Sequence, residues 1–313
     1  MKSQTILVVL LAIALLSTIG TVGQAVTFTW TGDTDLDWDT GTNWSGVAPT
    51  QADMGATNTV QFTGTTMPTS NVKDLGYNTG YAWTSKLELN SGGTLSMGVQ
   101  SRNNGLCYNG ASIQTMLTIG DGIGSVASVT LQFTEALLLN RHEQGSTLTT
   151  LVNRDGVLDV QGLLTMTYND SRSGILDIIG GSVTADALNM MNFDKPGSFA
   201  NTTRVKLRDS GSFTVDGVVD NTMYSWDDSI GTIRFLDKSS AYFTAKYRGD
   251  LADLAAVQSS LGTLFVSDTD WTLLAEDVDG VYFKVTAVPE PGCLALAVLG
   301  LCGLGFVRRR KRK

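Results

Sequence analysis

Leu176-Asp177-Ile178-Ile179-Gly180-Gly181-Ser182-Val183-Thr184-Ala185 contains the pattern on which the whole chain is built. Two short runs of alternating character flank a glycine turn. Alternation with period two marks a strand with one buried face, and paired glycines mark the turn between strands. The pattern returns at Leu87–Gly98, Asn153–Gly162 and Val205–Gly217, and more loosely at Leu117–Leu131. The turn glycines Gly93, Gly124, Gly156, Gly181 and Gly211 lie 31, 32, 25 and 30 residues apart. Spacing in this range belongs to stacked repeats. A single coil cannot bury its apolar face, whereas stacked coils share one core and one parallel hydrogen-bond ladder. The sequence therefore predicts an all-β chain folded as a right-handed parallel β-solenoid. Leu95, Leu158, Val183 and Phe213 become equivalent inward positions, with Val183 beside both Leu158 and Phe213 and with Asp159 facing out. The glycines are expected at corners of positive φ. The alternative is a jelly-roll-like β-sandwich, whose hairpins also generate glycine-rich turns.

The same reading extends over the body. Short alternating runs occur at Thr27–Trp30, Lys86–Leu89, Thr94–Met97, Leu117–Ile119, Ser128–Phe133, Val157–Val160, Leu163–Thr167, Arg204–Leu207, Ser212–Val215, Ile233–Leu236 and Val281–Val285. Long apolar stripes of helical period are absent. One helix is expected at Leu251–Leu261, capped by Asp250 and ended by Gly262.

Both ends of the chain carry export signals. Lys2, the apolar run Ile6–Leu16 and the small residues Gly23 and Ala25 have the form of a signal peptide, residues 1–25, cleaved after Ala25. At the other end Val288-Pro289-Glu290-Pro291 is followed by the 16-residue apolar run Gly292–Val307 and by Arg308-Arg309-Arg310-Lys311-Arg312-Lys313. Each proline fixes φ and lacks an N–H, so the segment is expected to be extended and open to proteases. The apolar run would make a helix of about 24 Å at 1.5 Å per residue, short for a bilayer core of about 30 Å. The basic end resists translocation. An uncleaved single-pass anchor is the plainer alternative. Motif, spacing and basic terminus together resemble the PEP-CTERM sorting tail of bacterial surface proteins. That resemblance covers residues 288–313. It implies transient residence in the inner membrane and cutting at the motif by an exosortase, a membrane cysteine protease. Cys293 and Cys302 sit inside the apolar run as small fillers, Cys293 also being a position open to acylation.

Between the signals, residues 26–287 form the expected body. The whole chain carries −8, but seven of its 22 Lys and Arg are Lys2 and the six C-terminal residues, and the body holds 15 Lys and Arg against 29 Asp and Glu, a net −14. Such a surface repels nucleic acid. Cys107 is the body's only cysteine, so no internal disulfide forms there and stability must come from packing.

Trp30-Thr31-Gly32, Trp38-Asp39, Asn43-Trp44-Ser45, Pro49, Asp53 and Val60-Gln61-Phe62 follow the order that opens autotransporter-associated β-strand repeats, and the glycine-rich repeats after them resemble the same passenger-type β-helices. The chain departs from that pattern in its Asp-rich insert and in ending without an outer-membrane barrel.

Catalytic signatures are few. His142 is the sole histidine and stands in no recognised motif. Asp227-Asp228 is a carboxylate pair, but adjacent strand residues face opposite sides, and a glycosidase needs two facing carboxyls. Asp35, Asp37 and Asp39 form the densest acidic cluster, a weak candidate for Ca²⁺ because Thr40 stands where a calcium loop requires Gly and no Glu closes it. Asp277-Val278-Asp279-Gly280 reads as a turn before the last strand. Trp38, Trp44, Trp83 and Tyr81 are candidates for stacking on sugars, although Trp30 and Trp44 are also suited to closing the end of a solenoid core. No cofactor is expected. The expectation is an exported cell-surface or matrix protein with a structural or interactive role, associated with exopolysaccharide or other surface proteins. The alternative is a carbohydrate-active β-helix enzyme, a polysaccharide lyase or hydrolase.

Overall fold

The structure is a computed structural model that describes residues 25–54, 58–64, 66–73, 82–83, 86–90, 92–98, 105–106, 114–123, 128–134, 136–139, 147–166, 173–190, 203–216, 231–237, 240–248, 251–268 and 271–288. Short strands stack into a parallel β-solenoid of about five turns. One nine-stranded face runs from Thr27–Trp30 through Thr59–Phe62, Lys86–Leu89, Gln114–Ile119, Thr147–Asn153, Ser173–Ile179, Thr203–Arg208 and Gly231–Phe235 to Phe265–Ser267. All of its ladders are parallel. The second face stacks Gly93–Met97, Val129–Phe133, Gly156–Thr165, Ser182–Asn189, Ser212–Val215 and Tyr242–Lys246, again in parallel. The jelly-roll alternative needs antiparallel hairpins here and is excluded by these ladders.

The inward column falls where the repeat places it. Leu158 lies opposite Val183, and Val183 opposite Phe213. Leu131 fills the place between Leu95 and Leu158, and Phe243 extends the column beyond Phe213. These six side chains are buried. Successive members are 36, 27, 25, 30 and 30 residues apart. Coil length therefore varies in the turns while the strands stay in register. On the first face Phe28, Val60, Leu87 and Leu117 begin the equivalent column, which continues through Leu176, Val205 and Ile233 to Phe265. Thr150 stands between Leu117 and Leu176 and is also buried.

Several expectations need correction. The runs Val157–Val160 and Leu163–Thr167 are one strand, Gly156–Thr165, that bends by a register shift between Val160 and Leu163. Its second half pairs with Leu137–Leu138 on a third, shorter face. Glycine is not the corner residue everywhere. Positive φ falls on Gly93 (φ 118°) and Gly180 (φ 73°), but also on Asp155 (φ 69°) and Asp209 (φ 54°). Gly156, Gly181 and Gly211 have ordinary φ and serve a different need, close approach of backbones. A Cβ on Gly156 would stand 2.3 Å from the Ile119 carbonyl oxygen, one on Gly181 2.4 Å from that of Asn153, and one on Gly211 2.6 Å from that of Ile178. The helix is shorter than expected, Leu254–Ser259, and its cap is Asp253, whose carboxylate accepts from the Ala256 N–H at 2.8 Å. Leu251 instead bridges Arg248 and is buried. Asp250 lies outside the described residues. Asp159 faces outward but is not idle: it accepts from Gln132 at 2.9 Å and Thr184 at 2.7 Å.

The C-terminal end is closed by an antiparallel hairpin. Tyr282–Val288 returns against Tyr242–Lys246 and then pairs with Thr272–Asp277. The hairpin ends the parallel stacking of this face with antiparallel pairs, and its outer strand Thr272–Asp277 forms the edge of the sheet. Asp277–Gly280 forms its turn: Gly280 has φ 78°, and its N–H is held by the Asp277 carboxylate at 3.1 Å. Beneath the hairpin Phe243, Phe265 and Phe283 pack as an aromatic cluster.

Candidate functional site

The ends of the folded body adjoin the two segments expected to act as export signals. Ala25 is exposed and lies just before the first strand. Among the described residues Val26 makes the first bonds, its N–H donating to Asn58 Oδ1 at 3.0 Å and its carbonyl accepting from Thr59 at 2.9 Å. At the other end Val288 is not linker. It is half-buried and pairs with Thr272 as the last residue of the closing strand. Pro289, Glu290, Pro291, the basic residues Arg308, Arg309, Arg310, Lys311, Arg312 and Lys313, and the segment 1–24 lie outside the described residues, as do Tyr81, Cys107, Gly124, His142, Asp227 and Asp228.

The acidic cluster sits on the cap that closes the N-terminal end. Trp30, Trp38 and Trp44 pack on Phe62 with ring centroids 4.9–6.4 Å apart. Each indole N–H is satisfied: Trp30 by the Thr66 carbonyl at 2.7 Å, Trp38 by that of Pro49 at 2.9 Å, Trp44 by that of Trp38 at 2.7 Å. Trp38 and Trp44 are buried, with their N–H groups occupied, so neither is open to a sugar ring. The WxG glycine has a clear reason. Gly32 has φ 68°, and a Cβ there would meet Thr66 Oγ1 at 2.4 Å.

Asn43 holds the loop above this cluster and is fully buried. Its Oδ1 accepts from the N–H groups of Thr34 (2.9 Å) and Asp35 (3.1 Å), and its Nδ2 donates to Asp35 Oδ1 (2.6 Å) and the Asp37 carbonyl (3.0 Å).

Around the carboxylates the partners are donors. Asp35 accepts from the Asp37 N–H (2.9 Å), Asn43 and Thr40. Asp37 accepts from the Asp39 N–H (2.9 Å) and the Asn71 amide (2.8 Å). Asp39 pairs with the Lys73 ammonium. The backbone N–H of Asp37 and the Asn43 amide hold Asp35 below the usual carboxylate range, and the Asn71 amide and the Asp39 N–H do the same for Asp37. A calcium site needs several oxygens converging on one point. Here N–H donors occupy those directions, and the cluster acts as a brace for the cap. Among the described residues no group of three or more His, Cys, Asp or Glu is arranged to hold a metal.

At the opposite end Tyr247 packs on Phe283 at 5.6 Å, and burial, with Asp277 nearby, pushes its hydroxyl up to about 12. Among the described residues no helix is long and apolar enough to cross a membrane. No protein-family model, curated protein or solved structure matches the chain.

Proposed function

We propose that the chain is an exported bacterial surface or matrix protein whose solenoid body, wound right-handed as crossover connections between parallel strands almost always are, is delivered by an N-terminal signal peptide and released or re-anchored at Val288-Pro289-Glu290-Pro291 by an exosortase-type membrane protease. One observation carries the reading: the motif, the short apolar run Gly292–Val307 and the six basic residues Arg308–Lys313 follow one another without interruption. Two features of the fold are compatible with it. Among the described residues the first backbone bonds begin at Val26 and the last paired residue is Val288. A protease acting just beyond Val288 would spare every ladder of the solenoid. Exported, the body has a structural or interactive role at the cell surface, in the outer envelope or in an exopolysaccharide-associated matrix. Its frame is suited to that role, since each coil braces only its neighbours and the flat faces present side chains in rows.

Mass spectrometry of the mature protein tests the processing. The expected product lacks any Arg308–Lys313 peptide, starts near Val26 and ends near Pro291. Recovery of the intact basic end from fully processed surface material would refute the sorting reading.

A further inference from the structure

The outer side of the first face changes character along its length. On strand Thr203–Arg208 the alternate residues Arg204, Lys206 and Arg208 share the outward side, since their neighbours Val205 and Leu207 are buried. Arg234 lies opposite Lys206 on the next strand. Parallel strands place these groups about 4.8 Å apart across the ladder and about 6.6 Å apart along a strand. Four cations thus occupy one patch of a body whose net charge is −14. Two carboxylates answer them. Asp177 binds Arg208, with Nε to Oδ1 at 2.9 Å, and Asp268 binds Arg234 at 2.9 and 3.0 Å. Arg204 and Lys206 make no ion pair among the described residues; the positions opposite Arg204 are Ile175 and Thr232, and those opposite Lys206 are Arg234 and Asp177, whose carboxylate is bonded to Arg208.

We propose that this patch is the docking surface for an acidic polysaccharide, with Arg204 and Lys206 as the groups that receive its carboxylates. The inference deepens the proposed surface role and rests on it. Charge complementarity selects an anionic partner, and charge spacing selects the class. Duplex nucleic acid carries a charge about every 1.7 Å, so a long stretch of it would meet mainly the repelling acidic body. A polyuronate carries one carboxylate per sugar, a sparser array better matched to Arg204 and Lys206, which lie about 6.6 Å apart along one strand. The Arg guanidinium fork suits a planar carboxylate. Arg208 and Arg234 are held and neutralised by Asp177 and Asp268, so the net positive charge of the patch is that of Arg204 and Lys206.

The test is biolayer interferometry of the full chain in mild detergent against polygalacturonate, with neutral dextran and duplex DNA as comparisons. The expected result is binding to polygalacturonate that weakens with salt, no binding to dextran, and affinity lowered by about tenfold or more in Arg204→Glu/Lys206→Glu. Thr214→Glu, on the other face, should bind as the parent does. Circular dichroism checks folding, and Arg204→Gln/Lys206→Gln replaces the reversal variant if that fails to fold. Undiminished affinity in a folded variant, absence of polygalacturonate binding, or equal affinity for DNA would overturn the assignment. Mass spectrometry of chain termini in the same expression host reports separately on the sorting reading, so failure of one is not mistaken for failure of the other.

Discussion

Replacing Gly156 by Ala should destabilise the solenoid more than replacing Gly180, although only Gly180 has positive φ. At Gly156 an added Cβ would lie 2.3 Å from the Ile119 carbonyl oxygen, 2.8 Å from its carbon and 3.0 Å from the Asn153 carbonyl oxygen. Ordinary contact begins near 3.4 Å, so about 1 Å of separation must be found between two backbones. Neither neighbour is free to yield, because Ile119 is paired with Val152 and Leu89 in the ladder. Overpacking of this kind costs about 1–3 kcal/mol, and rigid backbone on both sides places Gly156→Ala near the upper end. At Gly180, φ is 73° but the nearest atom to an added Cβ is Arg154 Cβ at 3.5 Å. There the cost is only that of left-handed backbone, about 1 kcal/mol. Thermal unfolding of the full-length variants should therefore show Gly156→Ala melting roughly 4–12 °C below the parent and Gly180→Ala roughly 2–4 °C below it. If Gly180→Ala is the more damaged of the two, close approach does not explain the glycine at Gly156 and the reasoning fails.

Leu158→Ala should cost about 2–5 kcal/mol in chemical denaturation, because the side chain is buried between Leu131 and Val183. A loss below 1 kcal/mol, about the worth of one buried CH₂, would mean the column does not carry the core. Asn43→Ala should leave the Thr34 and Asp35 N–H groups without their acceptor, at about 1–3 kcal/mol for each group that stays buried. It should also raise tryptophan exposure to quencher, whereas an unchanged quenching constant would contradict the hub role of Asn43. Acid should loosen the N-terminal cap. Asp35 and Asp37 have folded pKa values below their ordinary 3.8, so their contribution is present above about pH 4 and is lost as pH falls through the depressed folded values. Tryptophan emission should then hold steady from neutral pH to about pH 4 and shift red only below it. A red shift centred well above pH 4 would assign the transition to other groups.

The export signals rest on linear order alone, and nothing in the packing of the body bears on them. The fold was legible because its grammar is local. Alternation at Ser182–Ala185 and Ser212–Val215 sets which side chains turn inward, and recurrence of the pattern identifies Leu158, Val183 and Phe213 as equivalents before any pairing is seen. The cap was legible in part. Trp30 and Trp44 stand out in the sequence, but Trp38 as a buried ring and Asn43 as its hydrogen-bonded hub do not, since burial depends on how the Asp33–Asn43 loop folds over Phe62. A polar residue between two tryptophan positions was the one available signal for Asn43.

Sequence by itself determined the strand faces and the parallel stacking class, because period-two alternation and turn chemistry act over a few residues. Only the tertiary structure decided which turn residue carries positive φ and which glycine makes room for a neighbouring coil. Asp155 and Gly156 are adjacent, and their roles separate only when Ile119 is brought beside them. The same holds for charge. Asp35, Asp37 and Asp39 look like cation ligands in a linear chain, yet the contacts made by Asn71 and Lys73 from 34 residues away turn them into acceptors for internal donors. Arg204, Lys206 and Arg234 become one patch because a coil of about 28 residues returns the chain to the next rung of the same ladder.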